Sequence, residues 1–273
     1  MKEFMLLLLK TMEEPKAFGS FHLIAIACTI LFAFFLCLFF RDANNRTYRV
    51  ILALVWAAMV VTEVLAEMVL SVSISEEGVL SWQYQWSFFP LQLCDTPLYF
   101  LLPIAFLKEG KLRDALSAYM CSFILLGGII AYAFPSTIFG ARVFLNVRTS
   151  LHHGLQIAVC AFIGAYNRRR LSLKSFLPSL VVFLISVAFI TAFNVGMHAL
   201  YPDQYINMFY ISPYYRRTVP FLNDAFQQMS AVGVIFLYLS VVSALSFVVY
   251  LVYRLVVRLL SSGAKREGNG RGA

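Results

Sequence analysis

Long apolar runs alternate with short polar or aromatic connections along the whole chain. The runs cover roughly residues 19–40, 50–72, 88–107, 113–134, 149–166, 175–200 and 229–256. A helix needs about 20 consecutive apolar residues to cross the hydrocarbon core of a bilayer. Only helices and closed barrels satisfy their backbone groups in lipid. The pattern therefore predicts an all-α polytopic membrane protein with seven transmembrane helices. Ahead of the first run, Phe4 to Leu9 forms an apolar core shorter than that of a secretory signal, and no small-residue cleavage site follows. Residues 1–17 read as an interfacial N-terminal segment. Residues 261–273 are rich in Gly, Lys and Arg and read as a disordered cytoplasmic tail. No connection is long enough for a soluble domain, so residues 1–273 read as one integral membrane domain. No inverted repeat of the kind that marks many transporters is visible.

Composition agrees with this reading. The chain is 60% hydrophobic and 13% charged, against about 25% charged in a soluble domain. The net charge of +8 raises the question of nucleic acid, and the distribution of the charges answers it. Arg41, Arg46 and Arg49 follow the first run, and Lys108, Lys111 and Arg113 follow the third. Arg168, Arg169, Arg170 and Lys174 follow the fifth, and Arg254, Arg258, Lys265, Arg266 and Arg271 close the chain. The alternate connections carry only Arg142, Arg148, Arg216 and Arg217, and the loop from Ser73 to Ser87 has Glu76 and Glu77 with no base. Basic residues concentrate on cytoplasmic loops. The rule places the N-terminus outside and the C-terminus in the cytoplasm, and no nucleic-acid partner is called for. Trp82, Tyr84, Trp86, Tyr210, Tyr214 and Tyr215 then fall on outer connections, as an interfacial aromatic belt does.

That orientation gathers the polar residues of the spans at one depth. His22, Glu63, Glu67, Gln92, Cys94, Asp95, His152, His153, Gln156, Asn194 and His198 all lie towards the outer ends of their spans, with Asn223 and Asp224 just before the last. An ionisable residue inside a membrane span is a functional candidate by default. Cys28, Cys37, Cys121 and Cys160 lie deeper among apolar neighbours; five cysteines without metal spacing suggest no disulfide framework. Cys94 alone shares a depth with the histidines. A thiolate is a strong nucleophile when an adjacent imidazole takes its proton. His153 is the candidate base, since Gln156 shares its helix face and could orient it. His152 faces elsewhere on the same helix. If 88–107 is helical, Cys94 stands about 100° from Asp95, which suits Asp95 to a neighbouring helix or a histidine more than to the sulfur. Pro97 inside that helix would free the Leu93 carbonyl. Glu63 and Glu67 share a face, as do Asn194 and His198, and each pair also suits structural bonding between helices. The aromatic stretch from Tyr201 to Asn223, with Arg216 and Arg217, suits either a lid or an ordinary interfacial loop. No HExxH or similar motif is present, and the expectation is no metal and no cofactor.

Three pieces, Phe18-Gly19-Ser20-Phe21-His22-Leu23, Pro90-Leu91-Gln92-Leu93-Cys94-Asp95 and Leu151-His152-His153-Gly154, resemble the YwaF-type integral membrane proteins, which are similar to the animal transmembrane protein 164. The resemblance runs through most of the chain in span order. It implies a catalytic Cys–His pair in a lipid acyltransferase, matched here by Cys94 and by His153 before its Gly, with Asn194 matching a sixth-span Asn. The family's aromatic Asn-Tyr-x-Phe stretch is met only loosely by Asn207-Met208-Phe209-Tyr210. The expected function is a lipid acyltransferase or hydrolase working near the outer leaflet through an acyl-cysteine, with membrane lipids as its partners. His22, Glu63, Glu67, Gln92, Asp95, Gln156, Asn194 and His198 bind or orient around the pair. The alternatives are a metal-dependent membrane hydrolase using His22, His153, His198 and a Glu, and a non-enzymatic lipid- or solute-binding protein or transporter.

Overall fold

The computed structural model describes residues 2–75, 79–135, 138–215 and 229–269. Glu76, Glu77, Arg216, Arg217, Asn223 and Asp224 lie outside the described residues. Nearly every described element is helical. The chain runs through α1 (Lys2–Leu8), α2 (Ser20–Phe40), α3 (Asn45–Ser71), a hairpin of β1 (Val72–Ile74) and β2 (Leu80–Trp82), α4 (Pro97–Phe106), α5 (Lys111–Tyr119), a π-helical turn at Met120–Ile124, α6 (Leu125–Ala133), α7 (Val143–Tyr166), α8 (Phe176–Leu200) and α9 (Ala231–Asn269). Five helical stretches are long and apolar enough to cross a membrane: Ser20–Phe40, Asn45–Ser71, Lys111–Ala133, Leu173–Leu200 and Val232–Leu259. The protein is a multi-pass membrane protein. α7 and the shorter apolar stretch Leu93–Phe106 fall outside the five, and these two carry the candidate chemistry.

The burial pattern explains the arrangement. α2 exposes Leu23, Ile24, Ile30, Leu31 and Phe34 and buries only His22, Thr29 and Leu36, as a helix facing lipid does. α3 starts on Asn44, whose side chain accepts the Thr47 amide at 2.9 Å, a standard N-cap. Its buried stripe is Tyr48, Leu52, Val55, Met59, Glu63, Ala66 and Val69. This is a helical repeat of three and four, and Glu63 stands on its inward face. α7 is buried on almost every side, including Asn146, His152, His153, Gln156, Cys160 and Phe162. It packs against α2, α3, α5 and α6 and forms the axis of the molecule.

Small residues let α7 sit this close. A Cβ on Gly154 would fall 2.6 Å from Thr29 Oγ1 on α2, and one on Gly164 would fall 2.3 Å from Tyr253 Oη on α9. Tyr253 donates to the Ala161 carbonyl at 2.8 Å. Gly164→Ala therefore displaces a buried phenol together with its hydrogen bond. We expect a loss of about 1–3 kcal/mol, read as a lower thermal unfolding midpoint in detergent.

Four stretches depart from the sequence pattern for identifiable reasons. Residues 88–96 do not open a helix: Pro97 occupies the first turn of α4, where its missing N–H costs nothing, and the Cys94 box precedes it as a tight 3-10 turn, Leu93–Asp95. The Leu93 carbonyl is accordingly taken, accepting Thr96 Oγ1 at 2.9 Å. α7 begins at Val143, six residues before the apolar run, because Arg142 to Arg148 are covered by α1 and α3. In this cover, Met5 and Leu8 pack with Val69, Phe144 and Leu145, and Arg142 donates to the Val69 carbonyl at 2.8 Å. At the other end of the chain, α9 continues to Asn269. Finally, the π turn at Met120–Ile124 interrupts the helix between Lys111 and Ala133, and the Ile124 carbonyl accepts Gln156 Nε2 at 2.6 Å.

The opposite end of the bundle from the hairpin is held by ions. Arg168 pairs with Asp42 and Arg170 with Glu109 and Asp114. The Arg168 guanidinium bonded to Asp42 holds that carboxyl below the usual carboxylate range against the opposing effect of partial burial. Arg113, almost fully buried, lies 4.9 Å above the Tyr48 ring.

Candidate functional site

The site is assembled from one face of α3, one face of α7 and the turn before α4. Asp95 is the residue that shapes the turn. Its Oδ2 accepts the Gln92 amide at 2.9 Å, and the Asp95 amide donates back to the Gln92 carbonyl at 2.9 Å. This reciprocal pair closes a single tight turn and leaves Oδ1 pointing inward. The Cys94 thiol, partly exposed, reaches that Oδ1 at 3.8 Å. The helical geometry that would separate Cys94 from Asp95 does not apply, because the segment is a turn.

His152 stands directly behind. It is 1% exposed. Its Nε2 lies 3.0 Å from the Cys94 carbonyl oxygen and 3.5 Å from Asp95 Oδ1, and its Nδ1 lies 3.6 Å from Glu63 Oε2. Glu63 in turn is ion-paired to Arg148. Arg148 and His152 are one helical turn apart on α7 and so share a face. An unbroken series thus runs Cys94, Asp95, His152, Glu63, Arg148. Its middle members Asp95, His152 and Glu63 are buried, and it joins three parts of the chain. Burying a charge is expensive unless it is paired and hydrogen-bonded, and here each charged member has a partner of opposite sign or an imidazole beside it.

The other candidates take different places. His153 turns back onto its own helix, with Nδ1 2.8 Å from the Thr149 carbonyl. Its ring meets His152 edge to face at 5.5 Å. Gln156 serves the π turn and not a histidine. His22 accepts the Phe18 amide at 3.1 Å and stacks on Tyr132, which secures the start of α2. Phe18 there has φ 57°. His198 stacks on Tyr214 at 3.8 Å and lies 3.3 Å from the Tyr215 hydroxyl, among the aromatics of the loop after α8. Glu67, one turn beyond Glu63, faces the Tyr84 phenol. The set His22, His153, His198 and a Glu is therefore not drawn together. The one metal-capable group among the described residues is Glu63, Asp95 and His152, whose ligand atoms lie within 4.8 Å of one another.

Gln92 and Asn194 act on the loop that follows α8. Asn194 holds Met208 at both backbone groups, accepting its N–H at 2.9 Å and donating to its C=O at 3.0 Å. Gln92 accepts the Phe209 amide at 2.9 Å and donates to the Asn207 carbonyl at 3.2 Å. Between them they force the turn Met208–Tyr210, in which Phe209 (φ 54°) and Tyr210 (φ 56°) are left-handed. Bulky residues in that region carry about 1–3 kcal/mol of strain each. The turn lies against the Cys94 segment, and Tyr210 stands within electrostatic reach of Cys94 and Asp95. A cleft of about 520 Å³ opens between Leu70, Phe88, Phe139, Arg142 and Leu145, and none of Cys94, Asp95, His152 or Glu63 lines it.

In the sequence Arg148 stands as a connection charge and as one possible structural partner of Glu63 and Glu67, and its place beside His152 was not read, because span five was begun too late. The usable signal was its spacing: Arg148 lies four residues before His152, so an earlier helix start puts base and imidazole on one face. No curated protein and no solved structure matches this chain. The model of the TMEM164 family matches residues 17–253, and the chain belongs to that family of membrane proteins.

Proposed function

We propose that the protein is a lipid acyltransferase or hydrolase in which Cys94 is the nucleophile and His152 its base. The observation that carries this reading is that His152 Nε2 lies 3.5 Å from Asp95 Oδ1, the same oxygen that the Cys94 thiol reaches at 3.8 Å, so that one carboxylate oxygen stands between imidazole and thiol. In the reaction the imidazole takes the thiol proton, and the thiolate attacks a lipid ester carbonyl. The carbon–sulfur bond forms, the ester carbon–oxygen bond breaks, and the leaving alcohol takes the proton back from His152. A lysolipid hydroxyl or water then attacks the acyl-cysteine by the same route in reverse. His153 is bonded to its own helix, and this favours His152 over it. Gln92 and Asn194 support the roof of the site through the Met208–Tyr210 turn.

The membrane arrangement that goes with this reading has seven spans in a single domain over residues 1–273. Leu93–Phe106 and α7 join the five long apolar helices, with the N-terminus outside and the C-terminus cytoplasmic. The polarity of α7 and its burial inside the bundle support counting it as a span, since ionisable membrane residues face the interior. Membrane lipids are then both surroundings and substrate. Purified protein in phospholipid vesicles is expected to transfer or release labelled acyl chains, and Cys94→Ala to abolish this while changing the free energy of unfolding by no more than about 1 kcal/mol. Full activity in Cys94→Ala sinks the reading.

A cation site is the second reading, favoured by the Glu63–Asp95–His152 group. Arg148 bonded to Glu63 opposes it, since the guanidinium holds a carboxylate oxygen that a metal would use. Zinc copurifying in a one-to-one ratio and lost in His152→Ala would favour it over the thiol mechanism.

A further inference from the structure

The two ring nitrogens of His152 meet only acceptors. Nε2 has the Cys94 carbonyl oxygen at 3.0 Å and Asp95 Oδ1 at 3.5 Å; Nδ1 has Glu63 Oε2 at 3.6 Å. A neutral imidazole carries one N–H and one lone pair. In either tautomer one nitrogen therefore turns a lone pair towards a lone pair, and the ring is too deeply buried for water to relieve it. The doubly protonated ring gives every neighbour a proton.

An imidazolium at this place is the species that forms when the Cys94 proton is transferred. The thiol proton goes to Nε2, leaving the thiolate and the cationic ring as a pair, and the Nδ1–H is directed at Glu63. Asp95 works against the thiolate, so the ring needs support on its far side. Arg148 keeps Glu63 from turning away, and His153 and Glu67 lie at the edges of the group without facing Nδ1.

We propose that Glu63, clamped by Arg148, is the positioning residue that holds the His152 imidazolium at Nδ1 and so sustains the reactive form of Cys94. This rests on the pairing of Cys94 with His152 and adds its third member.

The test is the rate at which iodoacetamide alkylates Cys94 at neutral pH in detergent-purified protein, followed on the Cys94 peptide by mass spectrometry. Alkylation needs the thiolate, so it reads the pairing without any assumption about the lipid substrate. Glu63→Gln is expected to slow it about tenfold or more, Glu63→Asp less, and His152→Gln at least as much as Glu63→Gln. A wild-type rate in Glu63→Gln with a slow His152→Gln overturns the role of Glu63 and leaves the Cys–His pairing standing. Wild-type rates in both overturn the pairing itself. If the Glu63 variants do not fold, nitrogen-15 NMR of histidine-labelled wild-type protein decides. A His152 ring protonated at both nitrogens at neutral pH supports the proposal, and a ring with one N–H overturns it. A Cys94 rate that changes on dialysis against EDTA also overturns it, because a cation and not a proton then fills the gap between Glu63 and His152.

Discussion

Arg148→Met is expected to lower the stability of the protein by about 3–5 kcal/mol, the usual result of removing one partner from a buried ion pair. The side chains of Arg148 and Glu63 are 17% and 8% exposed, and Glu63 stands in the inward stripe of α3 among Met59, Ala66 and Val69. Without the guanidinium, the Glu63 and Asp95 carboxylates have only the single His152 ring between them. The loss should be visible as a drop in the thermal unfolding midpoint in detergent. The double variant Glu63→Gln, Arg148→Met should recover much of it, because the abandoned charge is then gone. A single Arg148→Met variant as stable as the wild type, or a double variant worse than the sum of the singles, contradicts the pairing.

The second large effect separates two adjacent residues. His152→Ala is expected to reduce acyl transfer by about 10²–10⁴-fold, the usual contribution of a general base. His153→Ala is expected to retain activity within about tenfold, since loss of its bond to the Thr149 carbonyl acts on α7 alone and costs about 1 kcal/mol. Both are read from initial rates on phospholipid vesicles. The opposite ranking returns the base to His153.

That ranking marks the limit of what could be read from the chain. The Cys94 box was legible because three polar residues interrupt an apolar run. The choice between His152 and His153 was not legible. It depends on the rotation of α7, and neighbouring residues on a helix differ by about 100°. The rotation is set by contacts far from the histidines: Gly154 against Thr29, Gly164 against Tyr253, and Gln156 reaching the carbonyl at the π turn. A π turn carries no dependable sequence signature, so Gln156 looked free to orient a histidine when it was already engaged. Pro97 was legible as a proline in an apolar run but not as the first turn of a helix. That one difference converts the Cys94 segment from helix to turn and lets the thiol meet Asp95. Asn194 and Gln92 were recognisable as buried amides. Their joint task, holding Phe209 and Tyr210 in left-handed backbone, needed the fold, because residues 92, 194 and 209 come together only through long-range packing.

The central claim is that Cys94 carries an acyl group during the reaction. The most direct test is the intact mass of detergent-purified protein after incubation with mixed phospholipids. The account predicts an added acyl mass that hydroxylamine removes, that maps to Cys94, that is absent in Cys94→Ser and that accumulates more slowly in His152→Ala. An unmodified Cys94 in protein that is meanwhile releasing or transferring acyl chains contradicts it.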